Sequence, residues 1–126
     1  KIAATSAKLG WIGKSGLFIS NQYGPRVRLG TVLTNMKICD TIDGNYIQSQ
    51  CGDCDICVKS CPAMAITGKN WEPGVKRNTI FDAQACSDYM NKNFKHIGRG
   101  SVCGICVKVC PRNGGGNCYE KSTFDQ

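Results

Sequence analysis

The sequence predicts an α+β fold in which a small β-hairpin and several helices pack on a core with pseudo-twofold symmetry. Three observations support this class: strand-like alternation in the first third, a helical pattern over residues 81–93, and a cysteine-rich unit that occurs twice. The chain has 126 residues, of which 41% are hydrophobic. This size and composition suit a single domain with one modest core.

The N-terminal third predicts a helix followed by two strands. Residues 1–10 show a weak apolar stripe at helical spacing, and residues 10–16 contain three glycines, which is typical of a loop. Residues 17–20 are short and apolar, and residues 26–34 place apolar side chains at alternate positions. We expect these two runs to pair as a hairpin across a turn at residues 21–25.

One longer helix is predicted in the second half of the chain. Over residues 81–93, Cys86, Tyr89 and Met90 recur on one side, and Asp82 is a candidate N-cap. Apolar runs are short elsewhere in this half, so we expect it to need covalent or metal cross-links in addition to burial.

A nine-residue unit is repeated among the ten cysteines of the chain. Residues 54–62 have the sequence CDICVKSCP, and residues 103–111 have the sequence CGICVKVCP. The shared register indicates two copies of one structural unit.

The first cysteine motif is Cys51-x2-Cys54-x2-Cys57-x3-Cys61-Pro62. This spacing matches the bacterial ferredoxin run, which binds [4Fe–4S] clusters. Its first three cysteines wrap a tight loop around one cluster, and backbone N–H groups of the loop point at the cluster sulfurs. The fourth cysteine ligates the other cluster of the pair.

The second motif, Cys103-x2-Cys106-x3-Cys110-Pro111, lacks the first cysteine of the run. Cys86, on the predicted helix, is the best candidate for the missing ligand. The crossed rule then assigns Cys51, Cys54, Cys57 and Cys110 to the first cluster, and Cys61, Cys86, Cys103 and Cys106 to the second.

Zinc binding and disulfide bonding both fit the cysteine pattern poorly. A zinc ribbon separates its C-x2-C pairs by about 15–20 residues, and the gap here is far longer. A disulfide framework does not explain two C-x2-C-x3-C-P units. We expect Cys39 and Cys118 to be a buried thiol and a tail thiol, although Cys39 could replace Cys86 as a ligand. The single histidine, His96, is expected to be structural or exposed.

The charge of the chain does not by itself predict a nucleic-acid partner. The formal net charge is +7 and the pI is about 9.0, which favours anionic partners. Each four-thiolate cluster site would add about −2, which lowers the net charge to about +3. The basic residues are also scattered, so we do not expect this segment to bind nucleic acid.

The ends and the hydropathy of the chain bear on its location. No run approaches the roughly 20 apolar residues of a membrane-spanning helix, and no signal peptide is visible. We therefore expect a cytoplasmic protein. The chain begins at Lys1 in what looks like the middle of a helix, so we expect an upstream region.

Residues 10–17 and 23–34 resemble a block found in two related families, the epoxyqueuosine reductases and the corrinoid reductive dehalogenases. In both families this block precedes a double-cluster module, and the resemblance covers about residues 8–111. It implies a reductive enzyme in which a cobalamin lies beside one cluster, and electrons enter at the other. The N-terminal portion of these families, with its catalytic acids, is not among these residues.

The resemblance also names candidate cofactor contacts. The glycine-rich block of the families lies near the corrinoid, which implies contacts from Gly13, Lys14, Tyr23, Gly24 and Pro25. The alternative is that this block is a packed hairpin without a ligand.

Together these observations predict a helix–hairpin block at 1–38, a double [4Fe–4S] ferredoxin-like module at 39–111 and a loose tail at 112–126. We expect the electron-transfer part of an oxidoreductase, whose partner is a redox protein or a missing N-terminal catalytic domain. A free-standing ferredoxin-like carrier and an iron–sulfur oxygen sensor are the alternatives.

Overall fold

The structure is a computed structural model and describes residues 1–37, 45–97 and 102–113. It confirms the α+β class, because these residues form a two-stranded antiparallel sheet and a set of helices. The strands are β1 (Gly10–Ile12) and β2 (Phe18–Ser20), and the helices are α1 (Ile2–Ser6), α2 (Ile56–Lys59), α3 (Ala83–Phe94) and α4 (Ile105–Lys108), with a 3-10 turn at Arg77–Thr79.

The hairpin joins different segments from those that the alternation predicts. Strand β2 pairs with β1, so that Trp11 lies opposite Ile19. The prediction that residues 17–20 pair with residues 26–34 is therefore wrong. The loop predicted from residue 10 onward begins only after Ile12.

The glycines of this region explain the error. A Cβ atom at Gly10 would lie 1.9 Å from the carbonyl oxygen of Ile19, so this glycine permits close approach of two strands. Gly16, at φ 70°, lies in the turn itself, where its N–H donates to the carbonyl oxygen of Gly13 at 2.9 Å. Glycines in the strand and in the turn therefore have different roles, although they look alike in the sequence.

Residues 26–34 form no strand in the structure. Val32 and Leu33 are 89% and 92% exposed. An alternating segment becomes a strand only where a neighbouring strand satisfies its backbone groups. Within the described residues no strand pairs with this segment.

Helix α3 confirms the predicted helix over residues 81–93 and its cap. The Asp82 carboxylate accepts hydrogen bonds from the backbone N–H groups of Gln84 and Ala85, both at 3.0 Å. These bonds satisfy two donors that the first turn of a helix leaves unpaired.

The N-terminal helix is shorter than the ten residues that the sequence predicts. Helix α1 ends at Ser6. Lys8 has a φ of 57°, which lies outside the right-handed helical region and stops further winding.

The buried hydrophobic core of the described residues is small. A bridge between Ile66 and Phe81 joins the segment after the first cysteine motif to the start of α3. Limited burial of this kind favours a fold that depends on metal cross-links. The buried hydrophobic residues are Trp11, Ile12, Phe18, Ile19, Ala65, Ile66 and Ile80.

The two copies of the repeated unit lie next to each other. Helices α2 and α4 have the same sequence, ICVK, and are in contact. The pseudo-twofold symmetry of the whole core stays a prediction.

Some predicted features lie outside the described residues, namely Cys39, Cys118 and the tail from residue 114 onward. His96 is described, and it is exposed just after α3. In the described ranges no helix has both the length and the apolar character needed to cross a membrane.

The pairing of β1 with β2 predicts opposite outcomes for two glycine substitutions. Gly10→Ala would place a methyl group against the Ile19 carbonyl oxygen. We expect this change to lower the free energy of unfolding by roughly 1–3 kcal/mol. Gly30→Ala is the matched control, because a Cβ atom there would meet nothing within 4 Å. Denaturant unfolding of the metal-loaded protein measures both, and greater damage from Gly30→Ala would contradict the observed register.

Candidate iron–sulfur centre

The cysteines of the two motifs are gathered around two cavities. None of the eight cysteines in the described residues is held in a disulfide. The first cavity is lined by Cys51, Cys54, Cys57, Cys106 and Cys110, and the second by Cys61, Cys86, Cys103 and Cys106.

Each motif contributes cysteines to both cavities. The first three cysteines of the first motif line the first cavity, whereas its fourth, Cys61, lines the second. In the second motif, Cys103 lines the second cavity and Cys110 lines the first, while Cys106 lines both. The sequence predicted the same two groups of cysteines, except that it assigned Cys106 to the second group alone, whereas Cys106 lines both cavities. Their roles as cluster ligands stay a prediction.

Tight turns before the two short helices bring the cysteines of each motif together. Gly52 has a φ of 49°, and the Cys54 N–H donates to the carbonyl oxygen of Cys51 at 2.9 Å. Gly104, at φ 76°, is the N-cap residue of α4, the position that Asp55 has before α2. Glycine adopts such positive φ values at little cost. Cys57 and Cys106 follow in the first turns of α2 and α4.

Helix α3 supplies Cys86 and an apolar wall to the second cavity. Tyr89 and Met90 follow Cys86 by three and four residues, which places all three on one helix face. All three line the second cavity, together with Ile66 and Phe81. This wall limits the access of water to the thiols.

Crowding of the thiols makes their charged form unfavourable. Burial, and then the neighbouring thiols of Cys51 and Cys110, raise the pKa of Cys57 to about 11. Burial followed by neighbouring thiols also raises the pKa of Cys86 and that of Cys106. A bound metal deprotonates its thiol ligands, because its positive charge offsets both effects.

The donor set fits clusters better than single metal ions. Over residues 1–37, 45–97 and 102–113, no three His, Cys, Asp or Glu side chains converge closely enough to hold one metal ion. A zinc site would require such convergence. A [4Fe–4S] cluster separates its four thiolates, because the inorganic core lies between them. Four or more cysteines line each cavity, which is the number of thiolates that such a cluster takes.

Gly13 and Lys14, two of the candidate cofactor residues, lie in the wall of the first cavity. A Cβ atom at Gly13 would lie 3.4 Å from the Cys51 sulfur. Lys14 is buried, and its Nζ donates to the carbonyl oxygen of Cys54 at 3.0 Å. A buried lysine is rare unless it is paired, and this one brings a positive charge to the first cysteine loop.

The other three candidate cofactor residues lie just after β2. Gly24 is buried at φ 60°, and a Cβ atom there would lie 2.1 Å from the carbonyl oxygen of Arg112. Pro25 is also buried, whereas Tyr23 is 59% exposed. Of these three, Tyr23 presents its side chain to solvent.

Two residues of the first cavity were missed by sequence reasoning. Trp11 is 2% exposed, and the guanidinium carbon of Arg112 lies 5.3 Å from the centroid of its ring. Both line the first cavity. Asn113 donates to the carbonyl oxygens of Val107 and Lys108 at the end of α4. The start of the predicted loose tail is therefore packed, and no motif in the sequence signalled these contacts.

Comparison with known families identifies the cysteine region. Residues 50–113 match the family described as the 4Fe-4S double cluster binding domain. This range is about half of the 126 residues. It contains all eight described cysteines.

Most of the chain is also similar to parts of larger reductases. Epoxyqueuosine reductase of Synechocystis sp. is 36% identical over 90% of this chain and 39% of its own length. Tetrachloroethene reductive dehalogenase of Sulfurospirillum multivorans is 34% identical over 86% of this chain and 22% of its own length. The solved structure of epoxyqueuosine reductase from Streptococcus thermophilus has a TM-score of 0.59 and 29% identity, over 90% of this chain and 30% of that one. The chain thus spans less than half the length of each of these relatives.

Proposed function

Because the chain belongs to the family of 4Fe-4S double cluster binding domains, we propose that it is the electron-transfer part of a larger reductive enzyme of the epoxyqueuosine reductase type. The observation that carries this proposal is the pair of cysteine-lined cavities that share Cys106. The reductases it resembles extend well beyond the matched region. Their catalytic part would correspond to protein outside this chain.

Each cavity is assigned one [4Fe–4S] cluster, and each cluster supplies reversible uptake of one electron. Cys106 lines both cavities, and we assign it to the second because Cys103, its partner in the motif, lines that one. The proposed ligands are Cys51, Cys54, Cys57 and Cys110 for the first cluster, and Cys61, Cys86, Cys103 and Cys106 for the second.

The residues around the thiolates give the two sites different surroundings. At the second cavity, Phe81, Tyr89 and Met90 form an apolar wall beside the ligands. At the first cavity, the buried ammonium group of Lys14 is held on the Cys54 carbonyl oxygen. Solvent access and nearby charge are the means by which a protein sets a cluster's reduction potential.

Residues 26–34 are the proposed junction with the catalytic part. They have the alternation of a strand, and their apolar side chains Val32 and Leu33 are almost fully exposed. A segment of this kind gains backbone hydrogen bonds and burial by adding to the edge of another sheet. It follows the hairpin that walls the first cavity, so the first site would face the catalytic part. Electrons would then enter at the second site.

A cobalamin in the catalytic part belongs to this proposal, as the resemblance to the two reductase families implies. Of the five candidate contacts, Gly13 and Lys14 border the first cysteine loop, and Gly24 and Pro25 are buried. Tyr23 is 59% exposed, so it is the candidate whose side chain would reach the cofactor directly. The buried residues would support the surface on which Tyr23 lies.

Cysteine substitutions test the ligand assignment in the cluster-loaded protein. We expect Cys86→Ser to abolish the electron paramagnetic resonance signal of one reduced cluster, and Cys110→Ser to abolish that of the other, because each removes one of four ligands. Cys118→Ser, which changes no proposed ligand, is the control and should retain both signals.

Two outcomes would contradict this assignment. If Cys86→Ser keeps both signals and Cys39→Ser loses one, then Cys39 is the eighth ligand. If Cys86→Ser and Cys110→Ser remove the same signal, the crossed arrangement is wrong.

Reduction of the full-length protein that carries this chain tests the reductase function. We expect cobalt to copurify with iron, and chemical reduction of the clusters to change the visible spectrum of the bound cobalamin. In the Cys110→Ser protein the spectrum should change much more slowly, because the first site is the proposed outlet. Clusters that are reduced without cobalt, or without any effect on cobalamin, would instead indicate a carrier that uses no organic cofactor.

A further inference from the structure

Two buried hydrogen-bond donors at the first cavity have no acceptor. The indole Nε1 of Trp11 and the Nε of Arg112 are buried and find no hydrogen-bond partner among the described residues. Both side chains line the first cavity, along with Cys51, Cys54 and Cys57. Buried donors in folded proteins are nearly always satisfied, so an unpaired pair at one cavity points to an acceptor that belongs there.

The two donors are held firmly. Trp11 lies in β1 opposite Ile19 and is 2% exposed. The guanidinium carbon of Arg112 lies 5.3 Å from the centroid of the Trp11 ring, and its Nη2 donates to the Gln50 carbonyl oxygen at 3.5 Å. Asn113, the next residue, is bonded to the end of α4. These contacts position the Trp11 and Arg112 side chains, although the Nε1 and Nε atoms themselves donate to no acceptor in the described residues.

The second cavity has no equivalent of this arrangement. Its described lining contains apolar residues, Tyr89 and cysteines, but no lysine or arginine. Arg77 exerts an electrostatic effect on Cys86, but it does not line that cavity. The first cavity, by contrast, is lined by both Lys14 and Arg112.

We propose that Trp11 and Arg112 donate N–H···S hydrogen bonds at the first cluster site and, with the charge of Lys14, raise the first cluster's reduction potential above that of the second. This inference rests on the proposed function, because the acceptors are the sulfurs of a bound cluster and its thiolate ligands. Reduction adds one negative charge, and donors and cations stabilise the reduced form more than the oxidised form. One electron then leaves the second cluster, which is oxidised, and reduces the first.

Trp11→Phe tests the indole donor, because it removes the N–H and keeps an aromatic ring. A hydrogen bond to a charged acceptor is worth about a factor of ten in an equilibrium constant. Only the part of this bond that strengthens on reduction shifts the potential, so we expect the midpoint potential of the first cluster to fall by up to about 59 mV, the value of a tenfold change for one electron. The first cluster is identified as the signal that Cys110→Ser removes, and the second cluster should keep its potential.

Two further variants separate the hydrogen bond from general effects. Trp71→Phe is the matched control, because Trp71 stacks edge-on against Tyr46 at 6.1 Å and lines neither cavity. We expect it to leave both potentials unchanged. Arg112→Lys retains the positive charge but lacks the Nε–H group, so a smaller fall in the first potential is expected than with Arg112→Gln.

Pulsed electron paramagnetic resonance keeps the test decisive if Trp11→Phe fails to assemble its clusters. With ¹⁵N-indole tryptophan in otherwise unaltered protein, we expect a nitrogen coupling to the reduced first cluster, and the same coupling in Trp71→Phe. Absence of this coupling, or an unchanged potential in a Trp11→Phe protein that holds both clusters, overturns the inference and leaves the proposed function intact. Unaltered protein that binds no clusters overturns both.

Discussion

The structure depends on the gathering of cysteine thiols around two partly buried cavities, an arrangement that the polypeptide by itself disfavours. Burial and mutual proximity raise the pKa of Cys57, Cys86 and Cys106, so the thiolate form needs the positive charge of iron. The apolar core is small, and cluster binding and folding are therefore expected to be coupled. The turns at Gly52 and Gly104 lead into short helices that bring the thiols together.

Two similar motifs produce two unequal sites. The second motif has no cysteine at its first position, and α3 brings Cys86 to the second cavity together with an apolar face. The N-terminal hairpin covers the first cavity with Trp11 and Lys14, and the end of the second motif adds Arg112. A symmetrical pair of clusters would give electrons no preferred direction. The proposed difference in reduction potential, which comes from these donors and charges, gives the electron a direction from the second cluster to the first.

Much of the grouping of the cysteines around the two cavities could be predicted from the sequence, because the ferredoxin motif has fixed separations along the chain. The helix capped by Asp82 was equally readable, since a cap acts within one turn. The pairing of β2 with β1 could not be predicted, because the sequence alone does not show that Gly10 permits close approach of the two strands. Residues 26–34 have a strand pattern but no partner strand in the described chain. The roles of Trp11 and Arg112 arise from tertiary contacts that no local spacing encodes.

The content of iron and acid-labile sulfide per chain, measured on anaerobically purified protein, tests the two-cluster arrangement most directly. Two [4Fe–4S] clusters predict about eight irons and about eight sulfides. About four of each would contradict the arrangement by leaving one cavity without a cluster. Bound zinc without sulfide would show that the cysteines hold single metal ions, and both the electron-transfer function and its proposed direction would be wrong.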